Sequence, residues 1–329
     1  MQEFLVNRRS LLSALAATGA VALADAPALA AMRKAQGKKP FFKRIGKPIG
    51  LQLYTLGDLP AKDMDGTLAK LAAIGFTDIE LPNFYNRSPA ELRAAADRAG
   101  VRYSSIHMNM PGPFTGGALN LMSPAQQIAD GLNVLGIRQV FLPLCPLPEG
   151  FSVPEGKSPQ VAIGDALRAA GADHWKKTAA LLNERASALK PHGIALGYHN
   201  HNMEFAPLEG GVTGWEILQR EVDPALVNFE LDLGWTAAAG HDPAAELAKL
   251  KGRVKAVHVK DIKPSTKTNF TMGQDPTEVG SGMLQWSRIL PAALAAGVEH
   301  FYVEQEPPFA MDRLAAVTKS HAFLSRFIA

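Results

Sequence analysis

Short apolar runs alternate with amphipathic stretches along most of the chain. Eight runs, rich in Val, Ile, Leu, Phe and Tyr, predict β-strands. They cover residues 49–54, 78–81, 103–108, 139–142, 195–199, 227–232, 254–260 and 300–304. Amphipathic patterns over 64–74, 89–99, 124–135, 175–191 and 286–296 predict helices between most of the strands. Each of these helices is followed by a glycine, which takes the left-handed conformation that ends helices.

Alternating strands and helices of this kind predict an α/β fold with a parallel sheet. Eight strands in a body of about 280 residues suit a single (β/α)8 TIM barrel. A doubly wound open sheet is the alternative. The first predicted strand is followed by Tyr54-Thr55-Leu56-Gly57-Asp58, which is not the GxGxxG loop of dinucleotide-binding sheets.

Two predicted connections are longer than the usual few residues. Residues 144–173 follow the fourth strand and residues 261–285 follow the seventh. Both lie after the carboxyl ends of strands, which is the side of a barrel where active sites form. We therefore expect the two segments to form a lid or a pocket wall.

The N-terminus has the features of an export signal. A twin-arginine pair, Arg8-Arg9, precedes an Ala- and Leu-rich run that ends at the small-x-small triplet Ala28-Leu29-Ala30. The apolar run is shorter than the ~20 residues of a membrane-spanning helix. We expect residues 1–30 to be a twin-arginine signal peptide, with periplasmic localisation and no stable membrane insertion after cleavage. Residues 31–47 are then a basic linker, and residues 48–329 the barrel.

Composition and charge exclude several classes of protein. Hydrophobic residues make up 47% and charged residues 20%, as in ordinary globular proteins. The only cysteine, Cys145, excludes an intramolecular disulfide and a Cys-based zinc site. The net charge of +3 is more than accounted for by seven basic residues between positions 31 and 50. The rest of the chain is slightly acidic, so nucleic acid is not an expected partner.

Ligand-type residues end four consecutive predicted strands. These ends read Tyr-His-Asn-His (198–201), Glu-Leu-Asp (230–232), His-Val-Lys-Asp (258–261) and Glu-Gln-Glu (304–306). In a barrel they lie side by side on one rim, where buried charges are costly unless they are paired or bound to metal. The mixture of imidazole and carboxylate predicts one divalent metal ion. Mn²⁺ is the expected ion, and Co²⁺, Mg²⁺, Fe²⁺ and Zn²⁺ are the other candidates.

The chain resembles the xylose-isomerase-like TIM-barrel superfamily of sugar isomerases and epimerases over residues 48–328. The resemblance is carried by GLQLYTL, GFTDIEL, LGYHNHNMEF, NFELDLGWTAAAGHDP, VKAVHVKD, VGSGMLQW and YVEQE. It implies a metal held by Glu, Asp, His and Glu from strands five to eight. Asp232, His258 and Glu304 match the last three. His199 stands at the position of the first Glu, and Glu204 is the alternative ligand there.

The remaining candidates surround this predicted metal site. Glu304 is the first candidate for the base that removes a proton next to a carbonyl, and Glu204 is the second. Lys260 either pins a substrate oxygen or pairs with Asp261 on the rim. Four further residues are expected to bind substrate, each with a structural role as the alternative: His107, His201, Glu80 and Trp235.

Three functions remain open at this point. The first is isomerisation or epimerisation of a free sugar or keto-sugar through a metal-stabilised enediolate. The second is lyase or hydratase chemistry on 3-keto-glycosides, which some relatives with a YHNHxxEF motif act on and which would need a partner sugar oxidoreductase. The third is a non-catalytic sugar-binding barrel, suggested by His199 in place of Glu. A homo-oligomer also stays open.

Overall fold

The computed structural model describes residues 39–111 and 119–329, and the predicted signal peptide lies outside them. Ten strands are present in the described residues: β1 (Gly50–Gln52), β2 (Asp78–Leu81), β3 (Arg102–His107), β4 (Gln139–Leu142), β5 (Ala195–His199), β6 (Val227–Asp232), β7 (Val254–Val259), β8 (Asp261–Ile262), β9 (Pro276–Thr277) and β10 (His300–Val303). Eight of them close into a parallel barrel in the order β1-β10-β7-β6-β5-β4-β3-β2. The predicted TIM barrel and all eight predicted strands are therefore confirmed. The short pair β8 and β9 forms an antiparallel ribbon outside the barrel.

Eleven α-helices lie in the described part of the chain: α1 (Phe41–Ile45), α2 (Leu59–Lys62), α3 (Met64–Ile74), α4 (Pro89–Ala99), α5 (Ala125–Leu135), α6 (Pro159–Leu189), α7 (Gly214–Glu221), α8 (Leu233–Ala238), α9 (Pro243–Lys249), α10 (Trp286–Ala296) and α11 (Arg313–Arg326). The sequence sets their ends locally. At α4, Ser88 and Glu91 exchange hydrogen bonds as a capping box, and Gly100 takes the left-handed conformation (φ 69°) that ends the helix.

The stretch predicted as a linker contains the packed helix α1. Phe41 and Phe42 are buried, and the ring of Phe42 meets that of Phe301 at a centroid distance of 5.5 Å. The amide of Phe41 donates to the carbonyl of Phe327 at 2.7 Å, which joins the two ends of the barrel chain. The structured body thus begins before residue 48, because two adjacent aromatic residues outweigh the basic residues around them.

The two long connections contain more structure than the sequence indicated. Helix α6 starts at Pro159, so the second half of segment 144–173 is helical, with a break at Gly171 (φ 70°, ψ −164°). A Cβ on Gly164 would collide with the backbone of Phe270, so α6 lies directly against segment 261–285. The two segments thus meet on the same side of the barrel.

Apolar side chains fill the space between strands and helices, whereas the barrel interior is largely polar. Strand residues alternate between these two environments. Inside the barrel, Phe141, Ala256 and Tyr302 form a small apolar cluster of their own. Among the residues described, no helix combines the length and apolarity needed to cross a membrane.

Replacing Phe42 with alanine tests whether α1 belongs to the folded body. We expect Phe42→Ala to lower the free energy of unfolding by about 3–5 kcal/mol, because it removes a buried ring from an aromatic cluster. Lys43→Ala, an exposed position on the same helix, should change it by less than about 0.5 kcal/mol. Urea unfolding of both variants measures this, and equal effects would mean that the segment does not contribute to the core.

Candidate functional site

Ionisable side chains converge at the carboxyl ends of the barrel strands. Six of these side chains lie on the last residues of β2, β3, β5, β6 and β7 or within two residues of them. Two further side chains belong to the residues that follow β7 and β10. These residues are Glu80, His107, His199, Glu230, Asp232, His258, Lys260 and Glu304. All of them are buried, so each charge among them needs a partner.

His258 lies at the centre of this arrangement, with a carboxylate on each side of its ring. Its Nδ1 is 2.9 Å from Glu304 Oε2 and 3.6 Å from Asp232 Oδ2. Its Nε2 is 2.7 Å from Glu80 Oε2 and 3.3 Å from Glu230 Oε2. Burial alone would lower the pKa of His258, but the charges of Glu230 and Glu304 outweigh it and raise this pKa well above its ordinary value.

Lys260 supplies the one permanent positive charge at the centre. Its Nζ is 2.8 Å from Asp232 Oδ2, 2.7 Å from Glu304 Oε2 and 2.6 Å from Glu306 Oε1. Burial alone would raise the pKa values of Asp232 and Glu304, but Lys260 outweighs it and lowers both. Lys260 therefore keeps these two carboxylates ionised.

Asp261 points away from Lys260, into the segment 261–285. Its carboxylate accepts hydrogen bonds from the backbone amides of Gly280, Gly282 and Leu284 and from the indole of Trp286. A Cβ at Gly282 would collide with this carboxylate. The alternative of a Lys260–Asp261 pair is thus excluded, and Asp261 organises the loop instead.

Glu204 is held in a separate buried environment. The hydroxyl of Tyr198 donates to its Oε1 at 2.7 Å, and the backbone amide of His201 donates to its Oε2 at 2.9 Å. Burial raises the pKa of Glu204 to about 7, against the opposing effect of these hydrogen bonds. Its carboxylate is not among the clustered donor atoms described below.

The three candidate histidines differ in their surroundings. His107 Nε2 and His199 Nδ1 lie 2.8 Å and 3.0 Å from the same atom, Glu230 Oε2. Burial, together with the charge of His258, lowers the pKa of His199 to about 4. His201 Nδ1 is buried and has no hydrogen-bond partner among the described residues.

Glu80 and Trp235, predicted as substrate-binding residues, are both enclosed. Glu80 accepts hydrogen bonds from Gln52 and Ser105 in addition to its contact with His258. The indole of Trp235 donates to Glu306 at 3.2 Å, and Lys260 Nζ lies 4.8 Å from its ring centroid. Both side chains therefore contact ionisable neighbours: Glu80 contacts the imidazole of His258, and Trp235 contacts the ammonium of Lys260.

Two sets of donor atoms are close enough together to hold a metal ion. The first donor group is Asp232, His258 and Glu304; the second donor group is His107, His199, Glu230 and His258. Buried acceptor atoms remain without hydrogen bonds in both: Asp232 Oδ2, which lies near Lys260 but is misaligned, and Glu230 Oε1. Such atoms are what a cation would satisfy, so the residues present fit a divalent metal ion.

Glu230 and Glu306 also belong to the site, although no role was predicted for them from the sequence. Glu230 lies two residues before Asp232 on β6, so alternation along the strand places both side chains inside the barrel. That periodicity was the signal that could have identified it. Glu306 follows β10 and comes into reach of Lys260 only through the path of the chain after the strand.

The state of Glu204 can be tested through the pH dependence of stability. An acid with a higher pKa in the folded than in the unfolded chain destabilises the fold as pH rises between the two values. From about pH 4.5 to about pH 8, we expect wild type to lose roughly 3 kcal/mol relative to Glu204→Gln. Urea unfolding at both pH values measures this difference. Glu209→Gln, an exposed neighbour, should lose stability with pH as wild type does, and an equal pH trend in wild type and Glu204→Gln would mean that Glu204 is already ionised at low pH in the folded protein.

Known proteins with this fold are similar over most of the chain. An inosose dehydratase from Clostridium tetani is 35% identical over 224 residues, covering 64% of this chain and 68% of that protein. One from Clostridium perfringens is 26% identical over 221 residues, covering 64% and 69%. The crystal structure of a sugar phosphate isomerase/epimerase from Parabacteroides distasonis superposes with a TM-score of 0.65 at 25% identity, covering 86% of this chain and 96% of that chain. The family model for the xylose isomerase-like TIM barrel matches residues 68–326, and the chain belongs to that family.

Proposed function

We propose that the protein is a metal-dependent enzyme that removes a proton next to the carbonyl of a sugar, keto-sugar or cyclic keto-polyol. The observation that carries this proposal is the first donor group, in which Asp232, His258 and Glu304 converge at the barrel end beside Lys260. The family contains sugar isomerases, epimerases and inosose dehydratases, so a small-molecule substrate of the sugar class fits it.

Asp232, His258 and Glu304 would hold the ion, and the candidates for a fourth ligand are His199, the last residue of β5, and His201, two residues later. His201 has the free nitrogen, whereas His199 Nδ1 already faces Glu230. When bound, a divalent ion acts as a Lewis acid and a template for a carbonyl and its neighbouring hydroxyl. Mn²⁺ remains the ion we propose, because imidazole and carboxylate together suit it.

Residues of the chain itself would accept the proton and position the charged groups. Glu304 is ionised because Lys260 and His258 lie beside it, so its carboxylate can accept the proton. The ammonium of Lys260 carries three N–H groups, and oxygens of three carboxylates lie within 2.8 Å of its Nζ. Its role in this arrangement is to position Asp232 and Glu304 and to keep them charged. The buried setting excludes water, which strengthens each of these interactions.

Two outcomes can follow removal of the proton. Reprotonation gives isomerisation or epimerisation, which the likeness to the Parabacteroides protein supports. Loss of a hydroxyl or an aglycone from the next carbon gives elimination, which the dehydratase relatives support. The second candidate function is therefore a lyase or hydratase acting on a cyclic ketone such as a 3-keto-glycoside.

We further propose that the enzyme acts after export to the periplasm. The twin-arginine pair, the short apolar run and the small-x-small triplet support this, and all three lie outside the described residues. The twin-arginine route carries folded proteins, which suits a barrel that buries a bound ion.

Solvent deuterium reports the proton removal directly. We expect the Mn²⁺-loaded protein in D₂O to place deuterium on a carbon next to the carbonyl of a substrate found by screening ketoses, inososes and 3-keto-glucosides. Glu304→Gln should lower the exchange rate at least about 100-fold, the usual contribution of a general base. Mass spectrometry and NMR measure the label.

The control for this experiment is Glu299→Gln, which alters an exposed carboxylate paired with Lys255 and should leave exchange unchanged. An isomerised or epimerised product without label would indicate a hydride shift and overturn the proposed proton removal, whereas an eliminated product without label fits the second candidate function. Binding without conversion or exchange across the panel would identify a sugar-binding barrel instead.

Export can be tested with the arginine pair. We expect the Arg8→Lys/Arg9→Lys variant to stay in the cytoplasm at full length, since the twin-arginine route requires both side chains. Wild type and the control Arg33→Lys should be found in the periplasm, with a mature N-terminus near residue 31. Cell fractionation and N-terminal mass analysis distinguish these results, and identical distributions of all three proteins would exclude this route.

A further inference from the structure

We propose that a chain of three hydroxyls in the barrel interior fixes the orientation and the tautomer of His258. The hydroxyl chain consists of Ser104 and Ser105 on β3 and Tyr302 on β10, and it reaches His258 through the carboxylate of Glu80. The hydroxyl-bearing residues are positioning residues, because none of them belongs to either donor group. This role rests on the metal site of the proposed function, and it is the same for isomerisation and for elimination.

Consecutive polar atoms along this path lie at hydrogen-bonding distance. Ser104 Oγ is 2.7 Å from the hydroxyl oxygen of Tyr302, and that oxygen is 2.9 Å from Ser105 Oγ. Ser105 Oγ is 2.5 Å from Glu80 Oε1, and Glu80 Oε2 is 2.7 Å from His258 Nε2. A separation of 2.5 Å is typical of a hydroxyl that donates to an ionised carboxylate. The hydroxyl chain is therefore connected to the imidazole without a gap.

The number of hydrogens determines the direction of these hydrogen bonds. Each hydroxyl carries one hydrogen, so Ser105, which donates to Glu80, must accept from Tyr302. Tyr302 must in turn accept from Ser104. An ionised carboxylate can only accept hydrogen bonds. The Nε2 atom of His258 must therefore be a donor to Glu80 and carry a hydrogen.

A hydrogen on Nε2 leaves Nδ1 as the nitrogen that can bind a cation. A neutral imidazole has one nitrogen with a hydrogen and one with a free lone pair. Nδ1 of His258 lies on the side of Asp232 and Glu304, the two carboxylates of the first donor group. In metal-binding histidines, the partner of the other ring nitrogen sets the tautomer and the ring orientation. Glu80 has the position of that partner, and the hydroxyl chain fixes Glu80.

The backbone is adapted to bring the three hydroxyls together. The register of β2 against β3 skips Ser104, which leaves a bulge at this residue. Neighbouring residues of a regular strand point to opposite faces, but at the bulge Ser104 and Ser105 both reach Tyr302. On β1, a Cβ at Gly50 would collide with the ring of Tyr302. The strands thus depart from regular geometry, and leave space, at the level of the hydroxyl chain.

Zn²⁺ affinity tests the proposal without a substrate. Metal-free protein is titrated with Zn²⁺ in competition with a chelating dye of known affinity. We expect Ser105→Ala and Tyr302→Phe to bind Zn²⁺ about 10–100-fold more weakly than wild type, the usual cost of removing a group that orients a metal-binding histidine. Ser105→Thr keeps the hydroxyl and should retain wild-type affinity. Tyr103→Phe removes the hydroxyl of a buried tyrosine on β3 outside the hydroxyl chain, and as the matched control it should bind as wild type does.

The ring nitrogens of His258 report its orientation separately from stability. In Zn²⁺-loaded wild type with ¹⁵N-labelled histidine, NMR should show a metal-bound Nδ1 and a hydrogen on Nε2. The Nε2–H signal should lie at low field because of the hydrogen bond to Glu80, and it should move to higher field in Ser105→Ala and Tyr302→Phe. Thermal unfolding identifies a variant that is merely destabilised. The two substitutions lie on different strands, so either one gives the comparison if the other does not fold.

The possible outcomes separate the hydroxyl chain from the proposed function. If wild type binds Zn²⁺ and both variants keep its affinity and its Nε2–H signal, the role of the hydroxyl chain is overturned and the proposed function stands. A wild type that binds no metal ion would contradict the proposed function instead. The Nε2–H signal is then recorded in the metal-free protein, where a signal that stays in place in both variants overturns the hydroxyl chain as well.

Discussion

The structure depends on accommodating several buried carboxylates at one end of a parallel barrel. Removing such groups from water costs several kcal/mol each unless cations or hydrogen-bond donors replace the lost solvation. Lys260 and His258 meet this requirement in part: the ammonium contacts three carboxylates, and the imidazole lies between four. Breaking either contact set would leave charges unpaired in the interior. The same excess of negative charge makes these residues fit a divalent metal ion.

The segments that cover this electrostatic centre are hydrogen-bonded to one another. Asn202, directly after the β5 motif, donates to the backbone of Asn269 at 2.9 Å and accepts from the amide of Met272 at 2.9 Å. The segment 261–285 is anchored at its other end by the hydrogen bonds to Asp261. The loop next to His201 is thus hydrogen-bonded to the segment that follows Lys260.

The sequence predicted the barrel well because its signals are local. Apolar runs flanked by helix-ending glycines located all eight barrel strands, and the strand ends located Asp232, His258 and Glu304. The errors came from tertiary context. The basic residues around Phe41 and Phe42 suggested a linker, although the two aromatic rings are buried and hold a helix against the barrel. Prolines and glycines suggested a loop up to residue 173, although Pro159 occupies the first turn of a helix, where proline is tolerated.

His199 has a charged partner on the neighbouring strand. His199 and Glu230 are direct register partners between β5 and β6, and their side chains meet at 3.0 Å. A neutral imidazole on the fifth strand thus stands beside a carboxylate on the sixth, and that carboxylate lies on the Nε2 side of His258. The donor atoms therefore fall into two groups around one imidazole, and the residues assigned to a single site from the sequence divide between these groups in the structure.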